Sequence, residues 1–489
     1  MKVLLVNSLT TGARVTMDFV HPPLGLLYIA AYARRHLDGL EIKVLDGPRE
    51  GVARIVEEIR IFNPDVLGIS TTTQGAREAY RIANEARGIN PSLLIVCGGP
   101  HPTIMPHEGL QQSATDIIVM GEGEITFLEI LRNFNRGSKD NSILGTALWA
   151  DGEIKVNAHR PPIEDLDSIP FPARDLLDLK SYPGHFYKKL KLDTSLISAR
   201  GCPFDCVFCS NPVWKLQKPW YRARSPENVV DEMEEICTRF GISEFFDVAD
   251  EFNANLNWAK AVCDEIVRRG LDISWKVHMR AGNMDDELAR KMAKAGCWLG
   301  MFGVESGNDR TLRGIKKNVT VAQIEEALTM FKNHGMKTLA LLMAFNVWEE
   351  NGELRFENKE DSKLTLAFAR KLIRENKIDL FSWSMTTPFP GSHLWGIALK
   401  HSLIPDKALG KWEIWDPDMT LIMNLPGVTE HDWIEVQNEG KRLQAVRLLL
   451  SGTMNASAMP LYAKKTFLLG ARTVSRALRR LSQQIHLSS

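Results

Sequence analysis

The sequence predicts an α/β fold: an amino-terminal doubly wound, Rossmann-like domain, then a partial (β/α)6 TIM-like barrel, and finally a mainly helical carboxy-terminal region. Two observations predict this globular α/β architecture. Apolar runs of strand length alternate with amphipathic helical stretches over residues 1–140 and again over 191–390, as is typical of parallel strands covered by helices. The 489 residues are 44% hydrophobic and 25% charged, which is close to the globular average. We expect residues 141–190 to form a connector and 391–489 the carboxy-terminal region.

Composition argues against several broad classes of protein. Sixty Lys and Arg balance sixty Asp and Glu, so no net charge draws the whole chain toward nucleic acid. Seven cysteines are an odd number and few for this length, which disfavours a secreted disulfide framework and favours the cytoplasm. No apolar run approaches the roughly 18 residues of a membrane-spanning helix. We therefore expect a soluble protein.

The first alternating series predicts a parallel sheet with helices on both faces. Its predicted strands lie at residues 2–6, 41–45, 66–70, 93–97 and 116–119. Its predicted helices lie at residues 24–36, 52–62 and 76–87. Polar residues and glycines follow several of these strands, and open parallel sheets bind their ligands at the carboxyl ends of the strands. The series therefore predicts a domain that binds a small ligand.

The second alternating series contains six strands, two fewer than a complete eight-stranded barrel. Its predicted strands lie at residues 194–200, 244–248, 273–277, 299–304, 338–343 and 380–385. Its predicted helices lie at residues 226–239, 255–269, 285–295, 321–334 and 362–375. Six successive strand–helix units predict a partial barrel, whose chemistry is expected at the carboxyl ends of its strands.

Three cysteines follow the first barrel strand at offsets of four and three residues: Cys202, Cys206 and Cys209. Three packed thiols with no metal are one interpretation of this cluster. A zinc site is another, although zinc normally takes a fourth nitrogen or sulfur ligand and no second Cys or His pair lies close by. Three thiolates on one loop can instead hold three irons of a 4Fe–4S cluster and leave the fourth iron open to a ligand. We favour the iron–sulfur cluster.

This triplet resembles the CxxxCxxC motif of the radical S-adenosylmethionine (SAM) superfamily, and the resemblance extends over roughly residues 160–400. It implies that the three cysteines bind the cluster and that SAM binds the open iron. Positions matching the SAM contacts of the family follow the first four strands: Phe208 for adenine, Asp250 and Glu251 for the amino group, Arg280 for the carboxylate, and Glu305 and Ser306 for the ribose. Where the family usually has GGE, this chain has Ala249-Asp250-Glu251.

The resemblance also implies a reductive mechanism. An electron from a donor such as flavodoxin or ferredoxin reaches the cluster, and SAM is cleaved to methionine and a 5′-deoxyadenosyl radical. The radical then removes a hydrogen atom from a substrate. The protein orients the cofactors and excludes water and oxidants. No catalytic residue is predicted beyond those that bind the cofactors.

The amino-terminal domain resembles the cobalamin-binding domains of some radical SAM enzymes. The resemblance implies cobalamin contacts at Ser70, Thr71 and Thr72 after one strand, at Gly98 and Gly99 after the next, at Glu122, and at Thr10 and Thr11 in the first loop. Many such domains carry DxHxxG in that loop, with the histidine as axial ligand of cobalt. Residues 7–12 contain neither Asp nor His, as is frequent in the radical SAM branch. His21 and His101 are possible contacts, but a loop histidine is more often solvated or hydrogen-bonded.

The four remaining cysteines argue against a second cluster. Cys97 is the one cysteine in the amino-terminal domain, whereas the similar methylthiotransferases need three there. No cysteine follows Cys297, which disfavours an auxiliary cluster near the carboxy terminus. We expect all four to be buried structural thiols.

The end of the chain has a basic amphipathic pattern. Apolar residues recur at three- and four-residue steps across residues 467–485, and nine Lys or Arg but no Asp or Glu follow Glu439. A helix packed on the acidic remainder of the protein is the first interpretation. The alternative is peripheral association with an anionic membrane, and with it a lipid-like substrate. A nucleic-acid partner is not expected, because aromatic residues do not alternate with these charges.

These observations predict a cobalamin-dependent radical SAM enzyme. By similarity to the family, the favoured reaction is methylation of an unactivated carbon of a small or hydrophobic substrate, with methylcobalamin as methyl donor and a further SAM restoring it. A cyclisation, rearrangement or carbon–carbon coupling with the same cofactors is the second hypothesis. A cobalamin or iron–sulfur sensor without turnover is the third. Both enzymes would produce 5′-deoxyadenosine, and methylation would also produce S-adenosylhomocysteine.

Overall fold

The fold is described from a computed structural model. The structure describes residues 1–8, 21–138, 140–185, 187–210, 213 and 215–450. The predicted cobalamin contacts Thr10 and Thr11 lie outside the described residues, and so does the predicted basic helix near the carboxy terminus.

The amino-terminal domain is a seven-stranded sheet in the order β2-β1-β3-β4-β5-β6-β7. Its strands are β1 (Lys2–Asn7), β2 (Glu41–Asp46), β3 (Val66–Ser70), β4 (Leu94–Gly98), β5 (Ile117–Val119), β6 (Thr146–Ala150) and β7 (Glu153–Val156). Its helices are α1 (Leu24–His36), α2 (Gly47–Phe62), α3 (Ala76–Ile89), α4 (Pro100–Ile104), α5 (Pro106–Gln112) and α6 (Gly123–Asn135). Strands β1 to β5 are parallel, which confirms the predicted Rossmann-like class.

Both faces of this sheet are buried, as the continuous apolar strands predict. Successive residues of β1 point to opposite faces, and Val3 and Leu5 pack in one apolar cluster with α1 and α6. Leu4 and Val6 pack in the other cluster with α2 and α3. The carboxyl edge of the sheet is therefore the accessible place for a ligand.

The sheet continues beyond the predicted boundary at residue 140. Strands β6 and β7 form an antiparallel hairpin, and β6 pairs with β5. Asp151 and Gly152 connect the two strands with positive φ angles of 51° and 84°. An Asp-Gly pair with both φ angles positive is the preferred two-residue hairpin turn. The predicted connector therefore begins with two strands of the amino-terminal domain.

The second domain is a six-stranded parallel sheet in the order β17-β14-β13-β12-β11-β8. Its strands and those of two small antiparallel pairs are β8 (Thr194–Leu196), β9 (Ala199–Gly201), β10 (Tyr221–Ala223), β11 (Glu244–Asp247), β12 (Ser274–Met279), β13 (Cys297–Glu305), β14 (Lys337–Ala344), β15 (Val347–Glu350), β16 (Glu353–Phe356) and β17 (Leu380–Met385). Each strand of the six lies beside the next, which confirms the predicted partial barrel.

Helices cover the barrel strands, and two helices lie in the described part of the carboxy-terminal region. They are α7 (Pro226–Phe240), α8 (Leu256–Arg269), α9 (Asp286–Lys294), α10 (Asp309–Gly314), α11 (Val321–Asn333), α12 (Lys359–Arg374), α13 (His393–Lys400) and α14 (Glu430–Leu450). Ser225, Asn255 and Asp285 cap α7, α8 and α9 by accepting a backbone N–H, which fixes where these helices begin. Among the described helices, none is both long and apolar enough to cross a membrane.

The predicted first barrel strand, 194–200, is divided in the structure. Strand β8 belongs to the barrel, whereas β9 leaves it and pairs antiparallel with β10. The three cysteines follow β9 directly. The β9–β10 pair therefore positions the cysteine loop beside the barrel mouth.

Candidate functional site

The three predicted cluster ligands lie on one loop after β9: Cys202, Cys206 and Cys209. Two backbone hydrogen bonds fix the middle of this loop. The Val207 N–H donates to the Ile315 carbonyl at 2.9 Å, and the Leu394 N–H donates to the Val207 carbonyl at 2.8 Å. The loop is therefore attached to the residue after α10 and to the first turn of α13, so its thiols have defined positions.

Glycine is required where the loop begins. Gly201 has φ +80°, and a Cβ there would lie 2.2 Å from the Trp220 carbonyl oxygen of the neighbouring strand. Its N–H donates to Asp250 Oδ2 at 3.1 Å. This bond connects the cysteine loop to the predicted SAM-binding residues after β11.

The thiols lie near buried cationic side chains. Arg280 Nη1 donates to Cys206 Sγ at 3.8 Å. Burial raises the pKa of the Cys202 thiol to about 11, so this thiol is expected to lose its proton only when it binds a metal. Within the described part of the chain, no three His, Cys, Asp or Glu side chains converge on a single metal ion. In a 4Fe–4S cluster each cysteine binds a different iron, so its ligands need not converge on one point.

Two predicted SAM contacts, Glu251 and Arg280, have buried atoms without a partner. Glu251 is 7% exposed and its Oε1 has no hydrogen bond, while Arg280 is 3% exposed and its Nη2 has none. The side chain of Asn253 holds Arg280 by accepting its N–H and donating to its carbonyl, both at 2.9 Å. A buried carboxylate oxygen and a buried guanidinium nitrogen without hydrogen-bond partners are costly unless a ligand satisfies them. An amino acid group, with its ammonium and carboxylate, would satisfy both.

Glu305 occupies a strained turn at the end of β13. Its φ is +63°, and the Ser306 N–H donates to the Val304 carbonyl at 2.8 Å across it. A non-glycine residue in this conformation is rare and costs about 1–3 kcal/mol. Such strain is most common at functional sites, so the predicted role of Glu305 has support from the backbone.

Lys317 was not predicted from the sequence but lies in this site. Its Nζ donates to Glu305 Oε1 at 3.0 Å, and both side chains are buried. Burial opposes the charge of Lys317, but Glu305 holds the pKa of the ammonium above its usual range. A Cβ at Gly303 would lie 2.5 Å from Lys317 Nζ, so the glycine leaves room for the pair.

The other predicted SAM residues have different surroundings. Phe208 is partly buried against the barrel core. Asp250 accepts the Gly201 N–H and also faces a cavity between the two domains. The Ser306 hydroxyl is fully buried and donates to Glu357 at 2.9 Å, with Thr365 at 3.1 Å. Ser306 would need to exchange these partners to contact a ribose.

We expect SAM binding to weaken as pH falls through neutrality. Burial raises the pKa of Glu251 to about 7, so the carboxylate that would receive the SAM ammonium is ionised above this pH and protonated below it. The ammonium itself stays protonated, because α-amino groups titrate near pH 8. The ionised fraction falls about eightfold between pH 7.5 and pH 6 for a pKa of 7. Anaerobic equilibrium dialysis of SAM against the cluster-loaded protein should show a similar loss of affinity.

Glu251→Gln is the control for this titration. The amide cannot ionise, so its SAM affinity should be low and nearly independent of pH over the same range. Equal affinities of the unsubstituted protein at pH 7.5 and pH 6 would contradict the assignment of Glu251.

A cavity of about 360 Å³ lies between the two domains. Its walls are mainly apolar side chains of the amino-terminal sheet and helices: Leu5, Leu26, Ile29, Ile69, Val96, Val119 and Phe127. Residues of the cysteine loop region complete it from the barrel side, including Arg200, Gly201 and Asp250. The cavity therefore joins the carboxyl edge of the first sheet to the cysteine loop.

Four of the predicted cobalamin contacts line this cavity: Ser70, Gly98, Gly99 and Glu122. Gly99 has φ +101°, and a Cβ there would lie 2.6 Å from the Thr71 carbonyl oxygen. Thr71 itself is buried, receives a hydrogen bond from the Ser8 hydroxyl at 2.7 Å and donates its N–H to Gly98 at 3.0 Å. Thr71 and Thr72 are not among the lining residues; Thr71 supports the cavity edge from behind.

The carboxylate of Glu122 has partners that the sequence did not predict. It receives hydrogen bonds from Arg200 at 3.1 Å, from Arg222 at 3.0 Å and from the Ile163 N–H at 2.8 Å. Burial alone would raise the pKa of Glu122, but the two guanidinium groups hold it below the usual range. Glu122 therefore borders the cavity as a member of an ion cluster.

Neither candidate histidine lines the cavity. His21 pairs with Asp193 at 3.2 Å. His101 is buried, lies 3.3 Å from the Thr73 hydroxyl, and packs against Trp412. No histidine is found among the described residues that line the cavity.

Family models match both halves of the site. The model of the B12 binding domain matches residues 10–131. The model of the Radical SAM superfamily matches residues 196–353. The first match includes the glycines that border the cavity, and the second includes the cysteine loop, Glu251, Arg280 and Glu305.

Several known proteins match this chain over most of its length. The chain is 33% identical to an uncharacterised methyltransferase, PH0819, of Pyrococcus horikoshii over 426 residues, which cover 86% of this chain and 88% of the relative. It is 30% identical to the anaerobic magnesium-protoporphyrin IX monomethyl ester cyclase of Rubrivivax gelatinosus, over 81% of this chain and 69% of the cyclase. The solved structure of TsrM, a radical SAM methyltransferase of Kitasatospora setae with cobalamin and a [4Fe-4S] cluster bound, matches with a TM-score of 0.66 at 18% identity, over 94% of this chain and 89% of TsrM.

Proposed function

This chain belongs to the cobalamin-dependent radical SAM enzymes, and from that membership we propose that it methylates an unactivated carbon of a small molecule. Its cofactors are a [4Fe-4S] cluster, SAM and cobalamin. One observation carries the proposal: a single cavity is lined by Gly98 and Gly99 of the B12-binding domain and by Arg200, Gly201 and Asp250 of the cysteine loop region. A methyl donor held there would face the cluster site directly.

The residues present fit these cofactors. The unpartnered atoms of Glu251 and Arg280 offer a buried acceptor and a buried donor, which suit the ammonium and carboxylate of SAM. The Cys206 thiol lies beside Arg280, so the cluster ligands and the SAM contacts adjoin. On the cobalamin side, Gly99 lets the two strand ends that border the cavity pack closely together, since a Cβ there would lie 2.6 Å from the Thr71 carbonyl oxygen.

The residues of this chain bind and orient the cofactors and shield the reacting atoms from water. When the three cofactors are bound, they supply reductive cleavage of SAM, hydrogen-atom abstraction and delivery of a methyl group. Glu251 and Arg280 hold the two ends of the amino acid group, and the Lys317–Glu305 pair fixes a carboxylate where the ribose is predicted. Burial of these side chains excludes water from the reacting atoms.

The barrel interior contains an apolar cluster. Residues from the inner faces of β11, β13, β14 and β17 meet in one apolar cluster: Phe246, Leu299, Met301, Leu339 and Leu380. Leu448 of α14 joins this cluster from the carboxy-terminal region. Leu299, Leu339 and Leu380 lie within the first three residues of their strands, so the cluster fills the barrel interior at the end opposite the strand ends that carry Arg280 and Glu305.

Product analysis tests the proposed methylation. Anaerobic protein with reconstituted cluster and added cobalamin would receive SAM labelled with a CD3 group, a one-electron reductant and a small-molecule extract of cells lacking the gene. We expect 5′-deoxyadenosine and S-adenosylhomocysteine in comparable amounts, and a metabolite heavier by a CD3 group. Absence of both SAM-derived products with a fully loaded cluster would contradict the proposal.

Cyclisation is the alternative reaction, and the 30% identity to the anaerobic cyclase supports it as a second candidate. A cyclase or coupling enzyme would use SAM only as the radical source. It would therefore form 5′-deoxyadenosine without an equivalent amount of S-adenosylhomocysteine, and no CD3 group would enter the product. The same assay separates the two reactions.

We also propose partners that follow from this chemistry. The cluster needs a one-electron donor, and a flavodoxin or ferredoxin would supply the electron. Replacing the chemical reductant with such a donor should sustain 5′-deoxyadenosine formation.

The basic sequence near the carboxy terminus suits an anionic membrane surface. Co-sedimentation of the full chain with anionic but not neutral vesicles tests that association.

A further inference from the structure

A buried cluster of four charges joins the two domains beside the cavity. Its members are Glu122 and Glu124 of the B12-binding domain and Arg200 and Arg222 of the β9–β10 pair. Arg200 Nη1 lies 3.1 Å from Glu122 and its Nη2 lies 2.5 Å from Glu124. Arg222 Nη2 lies 2.9 Å from Glu122. Their side chains are between 5% and 17% exposed, so these are not solvated surface pairs.

The position of Arg200 makes this cluster relevant to the iron–sulfur site. Arg200 lies two residues before Cys202, and Gly201 between them pairs with Tyr221 in the β9–β10 register and donates its N–H to Asp250. A displacement of the Arg200 side chain and backbone would therefore move the first cluster ligand. All four charged residues also line the interdomain cavity.

The β9–β10 pair depends on the carboxylates electrostatically. Arg200 and Arg222 are directly opposite each other in the antiparallel register, and like charges in that arrangement destabilise a strand pair. Glu122 lies between them and pairs with both. Burial opposes the charge of Arg200, but Glu124 and Glu122 hold the pKa of its guanidinium above the usual range. The geometry of the cysteine loop thus relies on two glutamates of the other domain.

We propose that these four residues, here termed the interdomain clamp, position the cluster-bearing loop against the cobalamin cavity and so set the spacing between cluster and cobalt. They are positioning residues, since their charged groups pair with each other. This inference rests on the proposed function, because only a reaction using both cofactors depends on that spacing. The clamp serves methyl transfer more than SAM cleavage, since cleavage needs only the barrel residues.

A double-mutant set tests the clamp: Glu124→Gln, Arg200→Gln and the combination of both. Arg200→Lys is a fourth variant, which keeps the charge but loses the forked guanidinium. The control is Glu413→Gln, because Glu413 also joins the domains through Arg77, at 2.7 Å, but in an exposed pair. Iron content and bound cobalamin are measured first for each holoenzyme.

The direct measurement is the dipolar coupling between cob(II)alamin and the reduced cluster by pulsed electron paramagnetic resonance. The unsubstituted protein and Glu413→Gln should give one narrow distance distribution, and the clamp variants a broader or shifted one. With SAM, the clamp variants should retain 5′-deoxyadenosine formation within about threefold and lose at least about tenfold in S-adenosylhomocysteine. Arg200→Lys should form an amount of S-adenosylhomocysteine between that of the other clamp variants and that of the unsubstituted protein.

An unchanged distance distribution and unchanged product ratio in the combined variant would overturn the clamp. If the unsubstituted enzyme forms no S-adenosylhomocysteine, the proposed methylation fails, yet the distance measurement still decides whether the clamp sets the spacing. If Arg200→Gln does not fold, the same distance and product measurements on Arg200→Lys and Glu124→Gln provide the test. Loss of iron equal to the loss of methyl transfer would also overturn the proposal, since the defect would then lie in the cluster alone.

Discussion

Cys206→Ser should abolish SAM cleavage, with a loss of about a thousandfold or more in 5′-deoxyadenosine formation. Cys206 is the central cysteine of the loop, it is 8% exposed, and its sulfur receives a hydrogen bond from Arg280. A serine hydroxyl does not replace the soft thiolate that iron–sulfur clusters require. Two cysteines on one loop should not retain the cluster, so the brown absorption and the iron content should fall together with activity.

The matched control is Cys237→Ser. Cys237 is only partly buried on α7, away from the loop, and it undergoes the same change of sulfur to oxygen. This variant should keep the iron content and SAM cleavage of the unsubstituted protein. If Cys206→Ser also kept both, the three-cysteine cluster would not be the catalytic centre.

Much of the fold was predictable because its signals are local. The helix predicted at residues 24–36 has those bounds in the structure, and the strands predicted at 66–70 and 380–385 also agree. Each is a short run whose apolar pattern and flanking residues lie within one window of sequence. The hairpin of β6 and β7 carries an equally local signal, the Asp151-Gly152 pair, although no hairpin was predicted there.

The order of the site residues was predictable, but their partners were not. Glu251, Arg280 and Glu305 were placed by motif order, and the structure brings each to the end of a successive strand. The partners of Glu122 lie 78 and 100 residues away in sequence, and no periodicity links positions so distant. Lys317 is similar, because its ammonium reaches Glu305 only through the fold of the segment after α10. Charge pairs between residues that are distant in sequence can therefore be identified only from the tertiary structure.

Gly99→Ala should separate the two cofactor functions by removing cobalamin binding. Gly99 has φ +101° and ψ −175°, a conformation that is essentially restricted to glycine and costs other residues about 1–3 kcal/mol. The new methyl group would lie 2.6 Å from the Thr71 carbonyl oxygen and 2.9 Å from its nitrogen. Since neither group can move without disturbing the strand ends, the cavity edge must shift. Cobalamin affinity should fall at least about tenfold, which corresponds to about 1.4 kcal/mol.

The cluster half of the enzyme should be unaffected by this change. Gly99→Ala should therefore keep its iron content and form 5′-deoxyadenosine from SAM, while S-adenosylhomocysteine formation is lost. Gly88→Ala is the control, because Gly88 lies in α3 of the same domain and an added Cβ meets no atom within 4 Å; alanine there should stabilise the helix by up to about 1 kcal/mol. Titration of each anaerobic protein with cobalamin, with the thermal unfolding curve recorded beside it, distinguishes a lost binding site from an unfolded domain. The three atoms nearest to the added Cβ belong to Ser70 and Thr71 of the same sheet edge. Equal cobalamin affinity in the two variants would therefore mean that the Gly98-Gly99 edge is not where cobalamin binds.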